Sequence, residues 1–336
     1  MSRIISRRTA LARLGVGCTV ANLPGLSSER STVQTVTGPI PSSRLGVTLM
    51  HEHIVTDLRA PEQRRAGDYD PEEAFRVALP HLSELREAGC ASLVEITPMH
   101  LGRDVDVLRR LSKASSLNIV AATGIYGAAE GKFVPDHAYR ETAEQLAERY
   151  IVEARQGVGT TDVRPGIIKT GVNRRTPLPA LEQKLVRAAA LAHKATGLTI
   201  ASHTGPGLPA LAQMEILAEM GVPLSKFIWV HAQNERDHEM HYKVARAGTW
   251  VEFDGLSENS LDWHLTCVRA MAEAGLLNRT LVSHDAGWYR PGESGGGRYR
   301  GYTLLFREFL PGLRRSGFSD AEIDQLLVVN PREALV

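Results

Sequence analysis

From residue 46 onward the chain alternates short apolar runs with longer amphipathic ones, and this rhythm constrains the fold more than any other feature. The apolar runs are GVTLMH (46–51), ASLVEIT (91–97), NIVAATGIY (118–126) and RPGIIKTG (164–171), then LTIASHTG (198–205), KFIWVHA (226–232), TWVEFDG (249–255) and TLVSHD (280–285). Most are apolar along their length rather than alternating, the pattern of parallel strands covered on both faces. The stretches between them carry helix signals. Asp70 stands before Pro71 with Glu73 positioned for a capping box, and Ser319 stands three residues before Glu322. Gly89, Gly197, Gly221, Gly248 and Gly275 each precede a strand, as glycines closing helices do. Pro80 falls inside the first helical pattern and predicts a kink there. Eight strands joined by crossover helices predict an α/β (β/α)8 TIM barrel with a short N-terminal β extension and a C-terminal helix. An open doubly wound sheet is the alternative, weakened because no Gly-x-Gly-x-x-Gly follows the first strand.

The expected domain boundaries are 1–30 for a leader and 31–336 for the barrel. Paired Arg7 and Arg8 follow Ser6 and precede a mildly apolar stretch, resembling a twin-arginine export signal and hence a periplasmic destination. Ala10 and Arg13 depart from that pattern, so a basic tail on a cytoplasmic protein is the competing reading. A net charge of +1 gives no reason to expect nucleic acid as a partner, and no apolar run is long enough for a membrane span. The expected partner is a small-molecule substrate, with a homodimer left open. Cys18, Cys90 and Cys267 form no disulfide framework.

TLMHEHIV raises the chemical question. His51 and His53 are two residues apart in a strand, so both imidazoles project to one face. Metal-ligating partners for them should lie at other C-terminal strand ends, where barrel sites are built. Lys169, His203, His231 and Asp285 stand there, each separated from the next by about one βα unit or a small multiple of it.

The set HEH, GIIKTG, SHTG, VHAQNE and SHD resembles the phosphotriesterase family of the amidohydrolase superfamily, over roughly residues 33 to 332. The resemblance implies two divalent ions. His51, His53 and Asp285 would hold the buried one and His203 and His231 the exposed one, with Lys169 carboxylated on its amine to bridge them. Zinc is favoured by abundance rather than by sequence. Two ions sharing a water would supply hydroxide near neutrality, and Asp285 would take its proton and pass it to the leaving group. Tyr126 stands where lactonases of the family carry a pocket tyrosine, although a rim aromatic accounts for it equally. Trp288 and Tyr289 are expected on the loop wall of the pocket, and His284 should point away from the ions. The paraoxon-cleaving members extend the proton path with a His and an Asp where this chain has Gly255 and Asn234, and the Arg of the lactonase branch is also absent at Gly255. The expected activity is lactone or carboxylic ester hydrolysis. Amide or N-acyl hydrolysis, phosphotriester hydrolysis and a metal-retaining binding protein are the alternatives.

Overall fold

The computed structural model describes residues 31–65 and 67–336. The twin-arginine leader expected over 1–30 lies outside the described residues. A hairpin of β1 (Thr32–Thr35) and β2 (Gly38–Pro41) comes first. Eight parallel strands follow: β3 (Thr48–Glu52), β4 (Ser92–Glu95), β5 (Asn118–Thr123), β6 (Ile167–Gly171), β7 (Ile200–His203), β8 (Phe227–Val230), β9 (Trp250–Phe253) and β10 (Thr280–Val282). Each pairs with its neighbours in sequence order, the order of a (β/α)8 barrel. Among the described residues no helix is long and apolar enough to cross a membrane.

Two apolar layers hold the barrel. Met50, Val94, Val120, Ile167, Ala201, Ile228, Trp250 and Leu281 fill its interior, and Val33 of the hairpin and Leu335 of the final helix pack into the same cluster. The hairpin also receives a backbone bond, as Val36 N donates to Ile119 O at 2.9 Å. The outer faces of the strands carry Leu49, Leu93, Ile119, Ile168 and Trp229, packed against the crossover helices. Strands apolar on both faces are what this burial requires.

Local signals mostly act as read. Asp70 accepts from Glu72 N at 2.8 Å, and Ser319 and Glu322 form a reciprocal capping box. All five of the glycines before strands have positive φ. One expectation needs correction. Glu73 forms no capping box, because its carboxylate accepts from the Tyr289 hydroxyl at 2.5 Å. The helix Pro71–Glu87 contains Pro80, as expected.

The barrel closes differently from its other joints. Glu52 accepts from Ser283 Oγ (2.8 Å), His284 N (2.9 Å), His284 Nδ1 (2.7 Å) and Ala286 N (2.8 Å). A buried side chain thereby bridges the first barrel strand to the segment after the last. His284 faces away from the barrel axis, as expected, and its Nε2 accepts from Leu305 N.

Candidate metal centre

Strand alternation alone would not bring the histidines together. Met50 belongs to the barrel interior, so a regular strand would turn His51 outward. The pairing of β3 with β4 shifts register between Leu49 and Glu52, and this irregularity brings His51 inward as well. His231 has the same problem after the inward-facing Val230. It resolves it by adopting φ 62, a left-handed conformation unusual for a residue with a Cβ. Asp285 has φ 53. Both residues therefore lie just past their strands rather than within them.

His51, His53, Lys169, His203, His231 and Asp285 line one cavity of about 90 Å³ at the C-terminal ends of the strands. Tyr126 and Trp288 line it too, and Leu58, Leu101 and Phe133 make its apolar wall. The ring centroids of His203 and His231 are 4.4 Å apart, and those of His51 and His231 5.1 Å. His53 Nε2 and His51 Nε2 lie 3.1 and 3.8 Å from one Asp285 oxygen, which has no hydrogen-bond partner.

Three of the four imidazoles are tethered through Nδ1. That of His51 lies 3.2 Å from both Glu252 and Asp254 carboxylate oxygens. That of His53 meets Thr97 Oγ1 at 2.7 Å, and that of His231 meets Asp254 Oδ1 at 2.5 Å. An Nδ1 held by an acceptor leaves Nε2 as the free lone pair, the usual arrangement of a metal-ligating histidine and its outer support. Burial alone would make the His51 imidazolium unfavourable, and Lys169 opposes it too, yet Asp254 and Glu252 raise its pKa to about 10. Such a site favours positive charge in a place water scarcely reaches. Asp254 is itself buried but held ionised by His231 and His51.

Lys169 is 2 % exposed, and its Nζ has no hydrogen-bond partner. Burial lowers its pKa to about 8, against the nearby carboxylates of Glu252, Asp254 and Asp285. A buried amine without a partner is costly unless something else occupies its surroundings. Four imidazoles, an unsatisfied carboxylate oxygen and this amine suit divalent cations of the zinc type.

The profile of the phosphotriesterase family matches residues 31–335. The chain belongs to the phosphotriesterase family. It is 31% identical to a phosphotriesterase homology protein of Escherichia coli, over 86% of this chain and 97% of that one. It is 26% identical to the N-acetyltaurine hydrolase of Salmo salar, over 92% and 99%. A solved mutant form of organophosphorus hydrolase from Deinococcus radiodurans superposes with a TM-score of 0.82 at 28% identity, over 91% and 98%. As a phosphotriesterase-family hydrolase, the protein uses the barrel architecture expected of it.

Not every residue near this centre was evident beforehand. Tyr289 is not on the pocket wall: it is 2 % exposed and turned towards Glu73, whereas Trp288 places its ring 5.2 Å from that of His53. Glu252, Asp254, Thr97 and Gln233 support the centre from behind without a motif that singles them out. Gln233 donates to Asp254 Oδ1 at 2.9 Å and accepts from Asp254 N at 3.2 Å. A Cβ on Gly255 would come within 2.5 Å of the Gln233 amide nitrogen, so the glycine makes room for this clamp. Asn234 is exposed and stands apart from it. The clue available in advance was the buried acidic alternation of Glu252 and Asp254 in an otherwise apolar strand.

Proposed function

We propose that the protein is a metal-dependent hydrolase that opens lactones or cleaves related carboxylic esters. The observation that carries this reading is the convergence of His51, His53, His203, His231, Lys169 and Asp285 on one cavity, with three Nδ1 atoms held from behind. In this reading His51, His53 and Asp285 would hold one divalent ion and His203 and His231 a second. Lys169, carboxylated on its amine, would supply an anionic ligand to both, and the lowering of its pKa eases the loss of the proton that must leave before the amine adds carbon dioxide. When bound, such ions make water acidic enough to attack near neutrality and polarise the substrate's carbonyl.

The chain's own groups do the rest. Asp285 stays ionised, since the His53, His51 and His231 imidazoles around it outweigh the effect of burial. Its unsatisfied oxygen takes a proton from the attacking water and returns it to the departing alkoxide, which in a lactone remains tethered nearby. Trp288 Nε1 donates to the Asp285 carbonyl at 3.0 Å and steadies that loop. Tyr126 packs edge-on against His203, 5.0 Å between centroids, with its hydroxyl available to a developing oxyanion. Leu58, Leu101 and Phe133 offer an apolar wall to the remainder of the substrate.

Amide hydrolysis is the second reading, favoured by the similarity to N-acetyltaurine hydrolases. Assaying metal-loaded protein against lactones, esters, N-acyl amino acids and phosphotriesters distinguishes them. Lactones or esters should give the highest kcat/KM. An N-acyl substrate ranking first would transfer the assignment to amide chemistry, and a phosphotriester ranking first would remove both readings.

Two further results are expected. Elemental analysis of loaded protein should give two divalent ions per chain, with His203→Ala or His231→Ala losing mainly one of them. A single ion in the fully loaded wild type would contradict the binuclear arrangement. Tyr126→Phe should lower kcat by about tenfold or more if the phenol meets the oxyanion, and steady-state kinetics showing no change would reduce Tyr126 to a packing residue.

A further inference from the structure

A second cleft, of about 600 Å³, opens between the loop after β9 and the loop after β10, and shares no lining residue with the candidate metal centre. Four arginines line it, Arg290, Arg298, Arg300 and Arg307, against a single carboxylate, Glu258. The chain as a whole has a net charge of only +1, so this is a local concentration rather than general basicity.

The guanidinium groups are poorly neutralised. Arg298 and Arg307 have no acidic partner among the described residues. Arg290 reaches Glu293 only at 3.5 Å, and its Nε is buried without a partner. Arg300 donates to two neutral carbonyls, those of Asp285 at 3.1 Å and Leu256 at 3.3 Å. Like charges gathered in a concave, partly walled space focus a positive potential there. The planar fork of arginine matches the geometry of an oxyanion. The loops after the seventh and eighth strands are also where (β/α)8 barrels frequently bind phosphate groups.

Arg300 connects this cleft to the chemistry. Its side chain holds the Asp285 carbonyl, and its backbone exchanges bonds with Gly287 at 2.9 and 3.0 Å. The wall of the cleft and the proposed proton acceptor thus belong to one loop.

We propose that this cleft binds a small-molecule oxyanion, a carboxylate, sulfonate or phosphate group, as the charged end of the substrate cleaved beside Asp285. The substrate role rests on the hydrolase reading above. The anion site itself does not. A separate inorganic anion would use the same chemistry, and two experimental arms distinguish the sources.

The first arm compares 4-nitrophenyl butyrate with the mono-4-nitrophenyl ester of succinic acid, which adds a terminal carboxylate. The second titrates inorganic phosphate calorimetrically. Both use metal-loaded wild type and an Arg298→Ala/Arg307→Ala double variant, whose substitutions fall on exposed side chains. Wild type should prefer the charged ester by about tenfold or more, and the variant should lose that preference through KM while butyrate hydrolysis is unchanged. Phosphate affinity should fall about tenfold for each arginine removed, the scale of one charge-assisted hydrogen bond. Weakened phosphate binding without any ester preference supports the cleft as an anion site but overturns its role for the substrate. If neither ester is cleaved, the ester reading fails and the phosphate arm alone decides the cleft. Identical behaviour of wild type and variant in phosphate binding and ester preference overturns the proposal.

Discussion

Changing Asp285 to Asn is expected to lower kcat by about 10²–10⁴, the scale of losing a general acid–base group. The amide keeps the size of the carboxylate and can still face His53, but it cannot take a proton. Because the lost interaction belongs to the transition state, kcat and kcat/KM should fall together with little change in KM. Asp285 also stands among the proposed ligands, its unsatisfied oxygen 3.1 Å from His53 Nε2, so ion content must be measured on the same sample. Full turnover in a variant that retains both ions would remove Asp285 from the proton path.

Lys169→Ala should lower activity by at least about 10²-fold, because it removes a group that the reading places between both ions. Acetate or propionate added to the variant should restore part of the activity by supplying the missing carboxylate oxygens. Intact mass measured under non-denaturing conditions should show one added carbon dioxide on the wild type and none on the variant. A free amine in active, metal-loaded protein would refute the carbamate. The motive is physical: Nζ is buried, partnerless and surrounded by Glu252, Asp254 and Asp285. Without its proton the amine is left unsatisfied, and with it the desolvation cost is large.

The architecture and the six converging side chains were legible because both follow from period. Parallel strands recur at each βα unit, and a barrel places their C-terminal ends on one rim. What period could not reveal is the departure from it. His51 points inward through a register shift, and His231 through a left-handed backbone, and neither has a signal in residue type. Glu252 and Asp254 lay in a strand read for its apolar character, so their role behind His51 and His231 became visible only with the distances. Gly255 looked like a missing relay, yet the space above it is filled by Gln233, a neighbour that sequence separation hides. Glu73 shows the reverse error. Its position satisfied a local rule, but Tyr289, 216 residues away, offered a better partner.

Glu52 has a consequence for how the chain is assembled in time. Its four bonds join residues 231 to 234 positions apart, whereas each other barrel joint links strands that follow one another in sequence. Contacts between successive βα units can form early, since each closes a short loop, while the Glu52 seam must wait until both ends of the chain meet. His51 and His53 flank Glu52 on one side of that seam, and Asp285 sits between its partners His284 and Ala286 on the other. The proposed reactive centre is therefore complete only once that seam has formed. It is completed by the same event that turns an open ribbon of strands into a ring.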